Sequence, residues 1–514
     1  MNTKRLVASL LACSALLTFA QPPQNWHHLS PEKNTWAGIA TEEAYELLKG
    51  KTAQPVIVAV IDDGTDYLHE DLAGNIWVNE DEIPGNGLDD DKNGYIDDIH
   101  GWNFIGTVQY DNLELTRLYR SMRILYEHAD PSRLSVEEKK KYDYYQEIRH
   151  AFEEKRDEER TNAAQMGVIV GFVKKVKASN NGIFDKKTLK AYVPDSDNDI
   201  RLQKRLLTLM KLGLLPEDFG DQVGEIEEEI NASVNYHINL SYDSRHLVGD
   251  NYDDVQEKGY GNADVLGPNG RHGTHVAGII GALRGNGIGI DGVAAPVRIM
   301  VLRVVPNGDE RDKDVANALR YAADNGAKVV NMSFGKYWSL NKTIVDEAAR
   351  YAASKDVLLV QGAGNDSRNL DLYPGFPNDT YEDGSVANHW LVVGASSWEK
   401  GPKRIANFSN YGKREVDLFA PGVAIYSTVK SSKYQNLDGT SMASPVAAGV
   451  AALIRAYFPD LSAPEVKQLL MASVVPVKGK VVVPGGAGKD AVSNLCASGG
   501  LLNARKAVEL ALAK

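Results

Sequence analysis

The sequence predicts an α/β fold built on a mainly parallel sheet. Two observations carry the prediction: unbroken runs of aliphatic residues recur along the chain, and helical stretches separate them. The runs lie at 56–61, 298–304, 328–332, 357–360 and 390–394. They lack polar alternation, which marks strands buried on both faces. Residues 315–325 and 343–353 between them read as helices, and strand followed by helix, repeated, is the pattern of a parallel sheet. In such sheets ligands bind beyond the carboxyl ends of the strands, so the residues just after each run carry the interest.

From the N-terminus, Lys4 and Arg5 precede an apolar run over 6–19 and the small residues of Thr18-Phe19-Ala20. This is an export signal over residues 1–20, placing the mature protein outside the cell or in the periplasm. A competing reading takes Leu10-Leu11-Ala12-Cys13 as a lipidation site anchoring Cys13, but the apolar run continues past it. No later run reaches the length of about 20 residues that a membrane-spanning helix needs. Residues 21–105 then form the first part of the main domain, with a helical pattern over 41–48 stopped by Gly50.

Residues 106–255 change in texture and read as a charged helical insertion. Ser135 and Glu138 have capping-box spacing, and Tyr142, Tyr145, Ile148 and Phe152 follow at helical intervals. Leu202, Leu206, Leu209 and Met210 mark a second helix, while 235–240 reads as a short strand. Residues 256–514 complete the main domain. With 57 basic against 69 acidic side chains and no concentrated basic patch, neither nucleic acid nor an anionic membrane surface is an expected partner. Of two cysteines, Cys13 falls in the leader, so the mature chain has no disulfide framework. Nothing in the sequence sets the oligomeric state.

Three distant segments each place a reactive side chain at a turn. Asp62 ends the first strand in VAVIDDG, His272 opens a small-residue helix in HGTHVAG, and Ser441 opens another in GTSMASP. Attack by a hydroxyl needs a base, a carboxylate that orients the base, and donors for the oxyanion. The three residues fill the first posts. Asn365, after the glycines of GAGN, offers a side-chain donor beside the Ser441 N–H at a helix N-terminus. Alone, Asp62 reads as a strand-end cap and Ser441 as a helix cap; four blocks together read as a catalytic set. His275 is expected to be structural, and Ser444 to serve helix packing.

These four blocks, in the order Asp, His, Asn, Ser, resemble the signature segments of the subtilisin-like serine peptidases. The resemblance implies a three-layer α/β/α fold and a secreted endopeptidase acting on polypeptides through an acyl-enzyme. In it Asp62, His272 and Ser441 are the triad and Asn365 serves the oxyanion hole. Ser333, Phe334 and Gly335, with Gly362, Ala363 and Gly364, correspond to the substrate-binding walls. The likeness leaves the insertion uncovered, and Asp62 and His272 stand 210 residues apart because of it. Residues 21–52 are too short for the inhibitory prodomain that secreted members carry. A non-enzymatic binding protein retaining the fold is the competing class, against which the intact triad argues.

A metal is also expected. Asp89, Asp91, Asn93, Asp97 and Asp98 space oxygen ligands around Gly94 as Ca²⁺ requires, although His100 stands where an EF-hand has its terminal Glu. By resemblance, Asp71 and the loop beginning at Asn286 match a structural calcium site of subtilisins. The acidic cluster at 249–254 has no assignment, and 307–313 is too mixed in charge to predict a cleavage preference.

Overall fold

The computed structural model describes residues 22–215 and 219–514; the predicted export signal and Cys13 lie outside the described residues. The chain divides into two compact units. One comprises Tyr110–Asp243, the other Pro22–Gln109 with Ser244–Lys514.

The larger unit holds strands β1 (Val56–Asp62), β2 (Gly101–Asn103), β3 (Val297–Arg303), β4 (Val329–Met332), β5 (Leu358–Gly362), β6 (Trp390–Ser396) and β7 (Leu418–Pro421). Among the described residues one sheet runs Val475–Pro476, Gly500–Leu501, β7, β6, β5, β4, β1, β3, β2. The pairings from β7 across to β2 are parallel. Val58 and Val60 of β1 pack in one apolar layer with helices Arg271–Gly281 and Thr440–Tyr457. Ala59 and Ile61 pack in the other with helices Asp312–Asp324 and Lys342–Ser354. Both faces are therefore covered, which gives the three-layer α/β/α fold and explains the unbroken aliphatic runs.

Register brings the reactive segments to one rim. Ile61 pairs with Met332, and Met332 with Gln361, so Asp62, Ser333 and Gly362 follow at the same edge of three adjacent strands.

Residues 22–51 are built into this unit. Trp26 is fully buried, and its indole N–H donates to the carbonyls of Val423 (3.0 Å) and Ala424 (3.2 Å). The Ala504 N–H donates to the Ile39 carbonyl (2.7 Å), and helix Thr41–Leu48 packs on helix Ala504–Leu512.

The smaller unit is helical, with Glu114–Tyr126, Val136–Ala178, Lys186–Ala191, Asp197–Lys211 and Phe219–Ala232. The Ser135–Glu138 capping box starts the 43-residue helix, whose Val170, Val173 and Val176 pack against Leu202, Leu206 and Phe219. The strand expected at 235–240 is not formed: Ser233–His237 is a π-helical turn continuing the preceding helix. There the Tyr236 and His237 carbonyls take Asn112 Nδ2 and Thr116 Oγ1 instead of a strand ladder. Six alternating residues are too short a signal to fix a strand, and side-chain donors from Asn112 and Thr116, distant in the chain, decided it. Among the described residues no helix is long and apolar enough to cross a membrane.

Trp26 should anchor the N-terminal segment. Trp26→Ala is expected to cost about 3–5 kcal/mol through the cavity it leaves, read as a lowered melting midpoint by circular dichroism. An unchanged midpoint would mean residues 22–51 are dispensable to the body of the unit.

Candidate active site

Asp62 is the last residue of β1 and is almost fully buried. Its carbonyl accepts from Val304 N (3.0 Å) and Val305 N (3.2 Å), which fixes the strand end. His272 lies in the first turn of helix Arg271–Gly281, and its Nδ1 meets Asp62 Oδ1 at 2.7 Å. The approach depends on the next residue: a Cβ at Gly273 would stand 2.2 Å from the Gly64 carbonyl oxygen and 3.0 Å from Asp62 Cβ. Glycine is thus required there for the helix to reach the strand. Asp63 fastens the same joint, its carboxylate accepting from Gly273 N (2.8 Å) and His272 N (3.3 Å).

The charges reinforce this geometry. Burial by itself pulls the His272 imidazole down, but the Asp62 carboxylate overrides it and lifts the pKa to about 9. The second Asp62 oxygen is buried with no hydrogen-bond partner among the described residues. Burial, then Asp62, raises the Asp63 carboxyl to about 6. Arg303, fully buried beside Asp62 in the sheet, donates to the carbonyls of Asp63 (3.1 Å), Gly106 (2.8 Å) and Val108 (2.5 Å).

Ser441 sits in the first turn of helix Thr440–Tyr457, where N–H groups and the helix dipole favour negative charge. Its hydroxyl donates to the Ser333 carbonyl (3.1 Å), while Ser333 Oγ donates back to the Ser441 carbonyl (2.9 Å). Ser444 Oγ donates to Asn331 Oδ1 (2.7 Å), and Asn331 Nδ2 to Ser333 Oγ (2.9 Å), so the helix is pinned to β4 by hydrogen bonds as well as by packing. Asn365 Oδ1 accepts from Thr440 N (2.9 Å) and Thr440 Oγ1 (3.1 Å), which leaves its Nδ2 directed elsewhere. Ser441 N and Asn365 Nδ2 lie near one point: a Cβ built on Gly439 would stand 3.5 Å from the first, 3.7 Å from the second and 3.7 Å from Met442 Sδ. The two donors flank one space.

The residues expected to form the substrate walls lie along the same rim. Ser333, Phe334 and Gly335 follow β4, and Gly362 closes β5 beside Thr440, whose carbonyl would stand 3.0 Å from a Cβ there. Ala363 N donates to the Val393 carbonyl (2.9 Å), and Gly364 N to Thr440 Oγ1 (2.9 Å). Asn410 holds this loop through Ala363 O (2.9 Å), Asp366 N (3.0 Å) and Arg368 N (2.8 Å). His275 is buried between the Ile425 and Gln435 carbonyls, each 3.0 Å from Nε2, and burial drops it to about 3.

In the acidic loop, Glu82, Asp91 and Asp98 converge with carboxylate oxygens within 4.8 Å of one another. Asn93 Nδ2 bridges Asp91 and Asp98 at 2.9 Å each. Asp89 instead caps Asn93 N (3.0 Å) and Gly94 N (2.9 Å). Asp97 faces the other way, accepting from Gly85 N (2.7 Å) and Gly87 N (2.9 Å). The converging oxygens are hard donors that suit Ca²⁺, and burial holds Glu82 and Asp98 above the ordinary carboxylate range, as unneutralised carboxyls in one place must be. Elsewhere Asp71, fully buried, meets Asn286 Nδ2 (2.7 Å) and Ile290 N (3.1 Å). Sequence reading missed Glu82, Asp63, Arg303, Thr440 and Asn410. Asp63 and Thr440 stand inside the quoted motifs and Arg303 inside the run over 298–304, whereas Glu82 and Asn410 belong to no pattern and join the sites only through folding.

His272 should titrate above its ordinary 6.5, near 9. Its neutral form is therefore populated as pH rises through that value, and the stability it lends the fold is complete below 6.5 and lost above about 9. Imidazole proton shifts by NMR check this: Asp62→Asn is expected to bring the titration down, and an unmoved titration would disconnect the pair.

Residues 53–499 match the model of the Subtilase family. The chain is 41% identical over 184 residues to the thermophilic serine proteinase of Bacillus sp. (strain AK1), covering 36% of this chain and 42% of that protein. It is 38% identical over 184 residues to thermitase of Thermoactinomyces vulgaris, covering 36% of this chain and 60% of the relative. The chain thus spans about half the length of these relatives. A solved structure of proteases from Pseudoalteromonas arctica PAMC 21717 is 20% identical, with a TM-score of 0.47 over 95% of this chain and 97% of that one. With its signature segments gathered at one rim of the sheet and the family match running through nearly all of the larger unit, the chain belongs to the subtilase family.

Proposed function

We propose that the protein is an exported serine endopeptidase that cleaves polypeptides through an acyl-enzyme. The observation that carries this reading is the pair of donors, Ser441 N and Asn365 Nδ2, flanking one space in a chain whose His272 is held by Asp62. The family membership and the serine proteinases among its relatives support the activity. The leader over residues 1–20 supports export.

Ser441 Oγ attacks the scissile carbonyl carbon while its proton passes to His272 Nε2. Asp62 holds Nδ1–H and offsets the imidazolium charge. The carbonyl oxygen, now negative, enters the space between Ser441 N and Asn365 Nδ2. Collapse breaks the C–N bond, His272 returns the proton to the leaving amine, and water repeats the sequence on the acyl-enzyme. In the free protein the hydroxyl rests on the Ser333 carbonyl. An extended substrate whose N–H takes that carbonyl would turn the hydroxyl toward His272, so binding by main-chain pairing along Ser333, Phe334 and Gly335 would arm the nucleophile. The segment after β3, residues 305–311, would pair with the other edge of the extended peptide and form the opposite wall, and Gly362, Ala363 and Gly364 would line the pocket beside Ser333–Gly335.

Ca²⁺ would be held by Glu82, Asp91 and Asp98, since the Asn93 amide turns its NH₂ to these carboxylates and its oxygen to Tyr95 N. At Asp71 both carboxylate oxygens accept N–H groups, and the Asn286 amide presents its NH₂ rather than its oxygen, so these residues do not fit the second ion. Bound at the first site, Ca²⁺ would neutralise the carboxylates and fix that loop. Ser441, His272 and Asp62 perform the chemistry.

A fluorophosphonate probe should label the protein at Ser441, and Ser441→Ala should abolish labelling. Absence of labelling in the parent would favour the binding-protein alternative. On magnitudes measured for a subtilisin, Asn365→Ala should lower kcat by about 10² to 10³ and Ser441→Ala by about 10⁶. Gly439→Ala, which sets a methyl group between the donors, should lower kcat with little change in KM; equal activity would empty that space of its role. Chelation of Ca²⁺ should lower the melting midpoint, and Asp98→Asn should blunt the response.

A further inference from the structure

Resting on the peptidase reading, the next question is what holds the two walls of the cleft at their spacing. One wall is Ser333–Gly335 and the other is the segment after β3, residues 305–311. Lys336 directly follows the first wall. Its Nζ donates to the Glu310 carbonyl on the second wall (2.8 Å) and pairs with Asp312 Oδ1 (2.7 Å). Both side chains are buried, 1% and 5% exposed. Asp312 also accepts, through Oδ2, from Ser339 Oγ (2.8 Å) and Asn341 N (2.7 Å), so both its oxygens are engaged by the chain that continues from the first wall.

Asp312 opens helix Asp312–Asp324, where the dipole favours an acid. The next two residues extend the anchorage. Lys313 Nζ pairs with Asp250 (2.6 Å) and Glu257 (2.9 Å), and Asp314 receives Arg245 (2.7 Å) and the Tyr260 hydroxyl (2.8 Å). Three consecutive charged side chains, too mixed in sign to interpret in the sequence, thus fix the end of the second wall from several directions.

We propose that Lys336 and Asp312 are a positioning pair that locks the two substrate-binding walls in register and thereby sets how an extended peptide is held. Apolar packing tolerates small slides between strands. An ammonium bound at once to a named carbonyl and a named carboxylate does not, and a buried charge deprived of its partner is costly, so the pair enforces one spacing. Neither group touches the reacting atoms. Its effect should therefore grow with the length of substrate lying between the walls.

The test compares two substrates, a small N-acetyl amino-acid ester that occupies only the subsite beside Ser441 and an N-acylated hexapeptide anilide that spans both walls. For Lys336→Met the ratio of kcat/KM, hexapeptide over ester, should fall at least about tenfold, mainly through KM, as misplaced substrates do. Lys336→Arg should restore part of it. An unchanged ratio, whether both substrates lose equally or neither loses, would overturn the proposal. If Lys336→Met does not fold, the charge-neutral Lys336→Met/Asp312→Asn protein is read by the same ratio. Hydrogen–deuterium exchange of residues 305–311, measured in a Ser441→Ala background with and without Lys336→Met, separates this idea from the peptidase reading. Faster exchange supports the lock even if the parent hydrolyses neither substrate, and unchanged exchange refutes it whatever the activity.

Discussion

The contact between His272 and Asp62 is the constraint from which the rest of the site follows. A helix start must come close enough to a strand end for an imidazole to bond a buried carboxylate, and Gly273 is the residue that permits it. Once that joint is made, Asp63 and Arg303 tie the surrounding backbone to it. The imidazole and the Asp63 N–H, which donates to Oδ1 at 2.8 Å, meet the Asp62 carboxylate at the buried strand end. The field of the carboxylate raises the affinity of His272 for a proton.

The second half of the site is built by the same device, a close approach of backbone followed by side-chain hydrogen bonds that fix direction. Thr440 takes the carbonyl oxygen of the Asn365 amide, and the amide nitrogen is thereby turned toward the space beside Ser441 N. Ser444, Asn331 and Ser333 fasten the helix to β4. On the proposed mechanism these donors would act as an oxyanion site whose dipoles are already aimed, so little reorganisation would accompany the appearance of charge.

The helical unit has its own core and its own capping. Residues 244–255, which share its charged texture in sequence, pack within the larger unit, where Arg245 and Asp250 meet Lys313 and Asp314. The acidic cluster that has no meaning as a string of letters acquires one as the counter-charge of a helix start.

Much of the fold was legible in the residues themselves. Aliphatic runs without alternation announce a doubly covered parallel sheet, and four compact motifs name Asp62, His272, Asn365 and Ser441, because those features are local. The short stretch at 235–240 deceived for the same reason: its outcome turned on donors from Asn112 and Thr116, more than a hundred positions away in the chain. Likewise the regular spacing of Asp89, Asp91, Asn93, Asp97 and Asp98 suggested one ligand set, whereas folding gave Asp97 to the N–H groups of Gly85 and Gly87 and brought in Glu82. Which side chains are present, and which strands they follow, is written in the sequence. Which of them meet was decided by the tertiary structure, since hydrogen bonds and charges act over a few ångströms and only folding makes distant residues neighbours.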